Sequence, residues 1–123
     1  DLITLAKMNI ANDRGQEAYG LLNFAQNELP EIIESPEYMA LRGAAAALAG
    51  KLESALDDLS VPALKDYNEL NAWRAFTLAG LEDWQQAAEA MPESMDIVLS
   101  YPRHIQERLV LKLAEIALRA GDT

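Results

Sequence analysis

The stretch LRGAAAALAGKLESALDDL, from Leu41 to Leu59, decides the fold of this chain. Its alanine-rich first part favours a helix, Gly50 interrupts the pattern, and Glu53 and Ala55 open a second helix. A unit of two short helices can bury its apolar face only against another unit, so repetition of this plan predicts a stack of helical hairpins. Weaker copies are MNIANDRGQEAYGLL (8–22), TLAGLEDWQQAAEAM (77–91) and LAEIALRAGDT (113–123).

Composition limits the class of protein. The chain has 123 residues, enough for one domain, and 50% of them are hydrophobic, which argues against a disordered chain. Its net charge of -10 disfavours binding to nucleic acid or to anionic membrane surfaces. The uncharged runs, such as Gly43 to Gly50, are far shorter than the roughly 20 residues of a spanning helix, so no membrane insertion is expected.

The chain contains no cysteine, which excludes disulfides, a thiol nucleophile and a thiolate metal site. A chain without cysteine suits reducing and oxidising surroundings equally, so the localisation stays open. Because the sequence begins at Asp1 without Met and stops just after a turn signal, we expect it to be a fragment of a longer protein.

Apolar spacing and helix signals predict an all-α fold without sheet. We expect hairpins at about 2–34, 36–66 and 68–99, followed by a terminal helix at about 102–120. Ser35 and Pro36 form a helix start, Pro62 ends a helix, Asp83 is an N-cap, and Gly121 is the C-cap of the last helix.

These hairpins resemble tetratricopeptide repeats, a family with units of about 34 residues that carry small residues at fixed places around the turn. The resemblance covers nearly the whole chain and implies a right-handed superhelical stack of antiparallel hairpins. Three departures are Gly15, which stands where an aromatic residue is usual, Pro62, which interrupts the second hairpin, and the irregular third turn, which leaves the register of the third hairpin open. The matching positions are Ala6, Ala18, Gly43, Gly50, Leu52, Ala55, Ala75, Trp84 and Ala87, with Ala114, Gly121 and Asp122 beginning a fourth copy.

Gly43 has a specific expected role. A glycine in the middle of a helix lowers helix stability unless it permits close packing, so we expect a neighbouring helix to cross there. The alternative is that Gly43 belongs to a run that merely favours helix.

The resemblance also implies a concave surface built by the first helix of each hairpin. It places Phe76 on that surface and makes Ala40, Ala44 and Ala47 its smooth apolar floor. Aromatic residues at helical spacing are more often core than groove, so few of Tyr38, Tyr67, Trp73, Phe76 and Trp84 are expected to face a partner.

Two charged features bear on the partner. Family members that clamp a C-terminal carboxylate use Lys and Asn at set places, where this chain has Ile3 and Lys7, so that clamp is absent. Four glutamates follow one another without a basic residue between them: Glu28, Glu31, Glu34 and Glu37. They form either a docking patch for a basic partner or a solvated edge.

No motif indicates catalysis. His104 is the only histidine and is expected on a helix surface, so no catalytic residue, metal site or cofactor site is assigned. Phosphate-binding, dinucleotide-binding and nucleophile-elbow motifs do not occur. The adjacent pair Asp57 and Asp58 diverges on a helix and is expected to be solvated.

The last predicted helix has two apolar stripes. The first, which should pack on the third hairpin, comprises Ile105, Leu109, Leu113, Ile116 and Ala120. The second contains Leu111, Ala114 and Leu118, and a helix with two apolar sides expects two neighbours. Leu111 and Leu118 are therefore predicted to be partly exposed and to be covered by further repeats or by a second copy. Arg108, Lys112, Glu115 and Arg119 are expected to face solvent.

The sequence therefore predicts a non-catalytic protein-protein interaction or scaffold module that presents a groove to a peptide or helix of a protein partner. The alternative is a structural spacer or oligomerisation segment, including a homodimer through the last helix. An enzyme lacks its motifs, and an RNA-binding helical repeat would require a basic stripe.

Overall fold

The computed structural model describes residues 2–120, and this range is all-α and contains no strand. Gly121 and Asp122, predicted as a C-cap and as a repeat position, lie outside the described residues. The α-helices are α1 (Leu2–Ala11), α2 (Gly15–Glu28), α3 (Pro36–Leu48), α4 (Leu52–Leu59), α5 (Asn71–Gly80), α6 (Trp84–Glu89), α7 (Asp96–Leu99) and α8 (Arg103–Ala120), with 3-10 turns at Pro30–Glu34, Pro62–Leu64 and Asn68–Leu70.

The predicted helix starts are confirmed at two caps. The Ser35 hydroxyl accepts a hydrogen bond from the Tyr38 N–H at 3.3 Å, and Pro36 is the first residue of α3. The Asp83 carboxylate accepts the Gln86 N–H at 3.2 Å at the start of α6. Each cap oxygen satisfies a backbone donor that the first helical turn leaves free.

The three short turns that join α1 to α2, α3 to α4 and α5 to α6 have the same backbone geometry. Each contains one residue with positive φ: Asp13 (60°), Gly50 (82°) and Glu82 (66°). The residue that follows donates its N–H to the carbonyl oxygen of the residue five positions before itself, at 2.7 to 2.9 Å in the three turns. This is the hydrogen bond of a Schellman motif. Only one of the three is a glycine, and this is why the turns look irregular in the sequence.

The three turn residues lie 37 and 32 residues apart, and buried small residues stand at the same distances from each of them. A small buried residue lies seven positions before each turn residue: Ala6, Gly43 and Ala75. Another lies five positions after it, fully buried each time: Ala18, Ala55 and Ala87. The positions inferred from the sequence for the third hairpin are thus the structural equivalents of those in the first two.

The predicted close approach at Gly43 is confirmed. A Cβ atom on Gly43 would lie 2.8 Å from Cγ of Leu59, which is fully buried at the end of α4. That separation is shorter than carbon atoms tolerate, so α3 and α4 can cross here only because residue 43 lacks a side chain.

Each hairpin packs on the one before it through its first helix. Helix α3 contacts both α1 and α2, α5 contacts α3 and α4, and α8 contacts α5 and α6. Helix α8 also contacts α1. Helix α8 thus contacts both helices of the third hairpin, as α3 and α5 contact both helices of the hairpins before them.

A buried polar cluster ties the first hairpin to the second. The Arg42 guanidinium donates to both carboxylate oxygens of Asp58 at 2.8 and 2.9 Å and also to Gln26. Hydrogen bonding to Asp58 raises the pKa of Arg42, so the guanidinium stays charged. The Tyr38 hydroxyl donates to the Leu22 carbonyl at 2.6 Å, and burial raises its pKa. Asp58 is therefore a paired core residue, which corrects the expectation of a solvated acid pair.

Two expectations for α8 need correction. Ile105, Leu109 and the rest of the first stripe are buried as predicted, except Ala120, which is exposed because it lies at the helix end. Arg108 is not on a purely solvated face. It donates to Asp13 at 3.1 Å and to the Leu48 carbonyl at 3.2 Å, which joins α8 to the first and second hairpins.

Candidate functional site: an apolar groove between four helices

A groove of about 810 Å³ lies between α1, α3, α5 and α8. The loops that lead into α3, α5 and α8 border it. Its lining is Lys7, Ile10, Ser35, Pro36, Glu37, Ala40, Leu41, Ala44, Tyr67, Glu69, Leu70, Trp73, Tyr101, Pro102 and Ile105.

The space exists because the α3 side of the groove carries small side chains. Ala40 and Ala44 lie one turn apart on α3 and both line it. Ile10, Trp73 and Ile105 supply bulk on the facing helices. A mainly apolar concave surface of this size is typical of sites that bind ligands or peptide side chains.

One wall is made by two aromatic residues held in fixed orientation. The Trp73 indole N–H donates to the Tyr101 hydroxyl at 3.2 Å, and the two ring centroids are 5.9 Å apart. Phe76 packs against Trp73 in an edge-on contact with centroids 6.2 Å apart. Because each ring is supported by the next, this wall is preorganised for contact with an apolar group.

Charges lie at the mouth of the groove rather than on its floor. Lys7 and Glu37 form an exposed ion pair at 3.0 Å between α1 and α3. Glu69, also exposed, lies at the entry to α5 and adds a carboxylate, so the charged lining residues carry one net negative charge. The mouth therefore carries a slight negative charge, of the same sign as the net charge of the chain.

The structure separates the four predicted groove residues. Ala40 and Ala44 line the groove, although Ala44 is itself only 7% exposed, whereas Ala47 and Phe76 are buried and do not line it. Phe76 holds the same register position as Lys7 and Ala44, six residues before the turn. In the third hairpin this position is covered, because the Arg108 guanidinium of α8 lies 5.8 Å from the Phe76 ring centroid.

Sequence reasoning missed most of the groove outside α3. Tyr101, Pro102 and Ile105 come from the start of α8, and only the return of α8 towards α1 brings them to the site. Tyr67 and Trp73, which line the groove, were among the five aromatic candidates of the sequence analysis, but Phe76 was the one placed on the concave surface.

A smaller cavity of about 370 Å³ lies between α4, α5 and α6 and includes Arg74. Arg74 donates to the carbonyls of Leu59, Leu64 and Tyr67 at 2.5 to 3.2 Å. Burial lowers the pKa of Arg74. Since its donors are used to hold the loop between α4 and α5, we assign this residue a structural role.

Leu111 and Leu118 lie on α8 away from the groove lining. They are 73% and 76% exposed, as the sequence predicted, and Ala114 between them is exposed too. The repeat positions Ala55, Ala75 and Ala87 are fully buried. Trp84 is partly buried under the Arg119 guanidinium, which lies 4.1 Å from its ring centroid.

In residues 2–120 no group of three or more His, Asp or Glu side chains is placed to hold a metal ion. His104 is exposed at the first turn of α8. Across the same residues, no helix combines the length and the apolar character that crossing a membrane requires.

No protein-family model, curated protein or solved structure matches this chain. Evidence for its function therefore comes from its own groove and exposed surfaces.

Proposed function

We propose that the chain is a tetratricopeptide-like right-handed α-solenoid that acts as a non-catalytic protein-protein interaction module. The common register of three turns, with small residues seven positions before and five after each, supports the repeat assignment. So does the order of packing, in which the first helix of each unit contacts both helices of the unit before it.

The proposed binding site is the groove between α1, α3, α5 and α8, and its ligand is an apolar peptide segment or helix of a protein partner. The observation that carries this proposal is the open space above Ala40 and Ala44, where equivalent first helices meet around a mainly apolar surface. Burial of apolar side chains there supplies affinity, at roughly 25 cal/mol per Å² removed from water. Since Lys7 already pairs with Glu37, the net negative charge at the mouth comes from Glu69, and it favours a basic residue beside the apolar segment because opposite charges orient the partner.

Selection from a displayed library of random peptides tests this function. The library is screened against three proteins: the parent, an Ala40→Arg variant that fills the groove, and an Ala63→Arg variant. Ala63 is exposed outside the groove, so it is a control with the same change in residue and charge. Binding of the selected peptides is then measured by calorimetry, with helix content checked by circular dichroism.

We expect apolar peptides with a basic flank to bind the parent and Ala63→Arg equally, and to bind Ala40→Arg at least about tenfold more weakly. If no peptide is selected, or if Ala40→Arg binds the selected peptides as well as the parent does, the groove is not a peptide site.

A structural spacer or oligomerisation segment is the second candidate function. The observation that favours it is the exposed apolar face of α8, which lies apart from the groove and which no part of a groove-bound peptide would cover.

A further inference from the structure

The exposed side of α8 carries a continuous apolar patch on its C-terminal half. It consists of Val110, Leu111, Ala114, Ala117 and Leu118, which we call the α8 face. The opposite side of α8, with Leu109 and Ile116, is buried against the third hairpin. The helix is thus apolar on two sides, and within residues 2–120 only one side is covered.

The repeat register shows what kind of element fits the α8 face. Aligned on the predicted repeat positions, Ala114 is the counterpart of Ala6, Gly43 and Ala75. Leu118 is the counterpart of Ile10, Ala47 and Ala79. These counterparts are buried in all three hairpins, and at Gly43 the covering element is the second helix of its own hairpin. The α8 face therefore fits an antiparallel helix.

The spacing within the face makes it complementary to itself. Leu111 lies three residues before Ala114 and Leu118 lies four residues after it, so all three fall on one side of the helix. When two copies of α8 cross antiparallel at Ala114, Leu111 of each copy meets Leu118 of the other. The small residue at the centre lets the two helices approach, as Gly43 does where α3 crosses α4.

Charge opposes this contact only weakly at close range. Helix α8 has a surplus of basic residues, Arg103, Arg108, Lys112 and Arg119 against Glu107 and Glu115, and two copies of a basic helix repel each other. Each of the four bases is, however, paired with a carboxylate: Arg103 with Glu107 at 3.0 Å, Arg108 with Asp13 at 3.1 Å, Lys112 with Glu115 at 3.2 Å and Arg119 with Glu115 at 3.5 Å. The α8 face itself contains no charged side chain.

We propose that the α8 face is the contact surface of a symmetric homodimer, with the two copies of α8 packed antiparallel around Ala114. Such an interface uses the same patch on both copies and closes at two subunits. It spans about three helical turns and is small beside the roughly 1,600 Å² of a standard interface, so the dimer is weak and concentration-dependent.

Sedimentation equilibrium of the chain, from micromolar to about 1 mM, measures this association. We expect a monomer-dimer equilibrium that strengthens with added salt. The two subunits repel each other through their net charges, and the screening length falls from about 10 Å at 0.1 M salt to about 3 Å at 1 M. A purely monomeric chain at 1 mM in 1 M salt overturns the proposal, and so do open-ended higher oligomers.

Charge substitutions on the face give a matched comparison. Leu118→Glu and, separately, Leu111→Glu are expected to weaken dimerisation at least about tenfold, because each places two carboxylates in the apolar contact. Phe24→Glu is the control, since Phe24 is also 54% exposed, lies on α2 and changes the net charge equally. Equal dimerisation of all variants overturns the proposal.

Because the chain has no cysteine, a single introduced thiol reports the geometry directly. Ala114 lies on the proposed two-fold axis, so Ala114→Cys places the two thiols opposite each other and within the reach of a disulfide. We expect mild oxidation to convert this variant to a covalent dimer much faster than Phe24→Cys. If the two variants cross-link at the same rate, the antiparallel crossing at Ala114 is wrong.

Discussion

Gly15 at the start of α2 lies directly against Leu48 at the end of α3, so that a Cβ atom on Gly15 would sit 2.8 Å from Cβ of Leu48 and 3.0 Å from the following backbone N. The same junction recurs one repeat later with the sizes exchanged. There Leu52 starts α4, and its Cδ1 lies 2.7 Å from the Cβ position of Gly80 at the end of α5. Neighbouring hairpins are thus joined by one small and one large residue at each junction.

The two junctions should respond differently to the same substitution. Gly15→Ala is expected to destabilise the fold by about 1 to 3 kcal/mol, because the added methyl meets backbone and a Cβ atom that cannot rotate away. The methyl group added by Gly80→Ala meets only the end of the flexible Leu52 side chain. This substitution should therefore change the free energy of unfolding by less than about 1 kcal/mol. Urea denaturation of both variants measures the difference, and equal losses would contradict the packing described for Gly15.

Gly43 sets the distance between α3 and α4. Gly43→Leu should force the helices apart at Leu59 and lower the free energy of unfolding by about 3 kcal/mol. Gly20 in α2 is the control, since its Cβ position is open and Gly20→Ala should stabilise the fold by about 0.5 to 1 kcal/mol. An unchanged melting temperature in Gly43→Leu would show that the helices do not cross there.

The ion pair between Arg42 and Asp58 should be sensitive to loss of either charge. Asp58→Asn leaves the guanidinium partly buried beside a neutral group, and we expect a loss of about 2 to 3 kcal/mol. Asp57→Asn alters the exposed neighbouring residue and should cost less than about 0.5 kcal/mol. Chemical denaturation of the two variants under identical conditions makes the comparison. Similar stabilities would mean that the pair contributes little.

Phe76 should contribute to the stability of the fold rather than to partner binding. Its ring is buried between Trp73 and Arg108, so Phe76→Ala is expected to lower the free energy of unfolding by about 3 kcal/mol or more. Thermal unfolding followed by circular dichroism tests this expectation. A variant as stable as the parent would restore the interpretation of Phe76 as a surface residue for partner recognition.

By itself, the sequence determined the local features. The terminal helix was predicted almost to the residue, and so was the helix start at Ser35 and Pro36, because apolar spacing and caps act within a few residues of chain. The small residues Gly43, Ala55 and Ala87 were located through the resemblance to tetratricopeptide repeats, and all three are buried. The second apolar stripe of α8 could also be identified from the sequence, since the spacing of apolar residues is a property of one helix.

Tertiary structure decided where these elements meet. The turns at Asp13 and Glu82 have the geometry of Gly50 without a glycine, so only the backbone revealed that the three turns are alike. Phe76 and Lys7 share a register position, but α8 covers the first and leaves the second at the groove mouth. Asp58 looked like a solvated acid until Arg42, 16 residues away, was seen to pair with it. The burial of a side chain and its ion pairs depend on residues that are distant in the chain. The local sequence pattern of one segment therefore does not predict them.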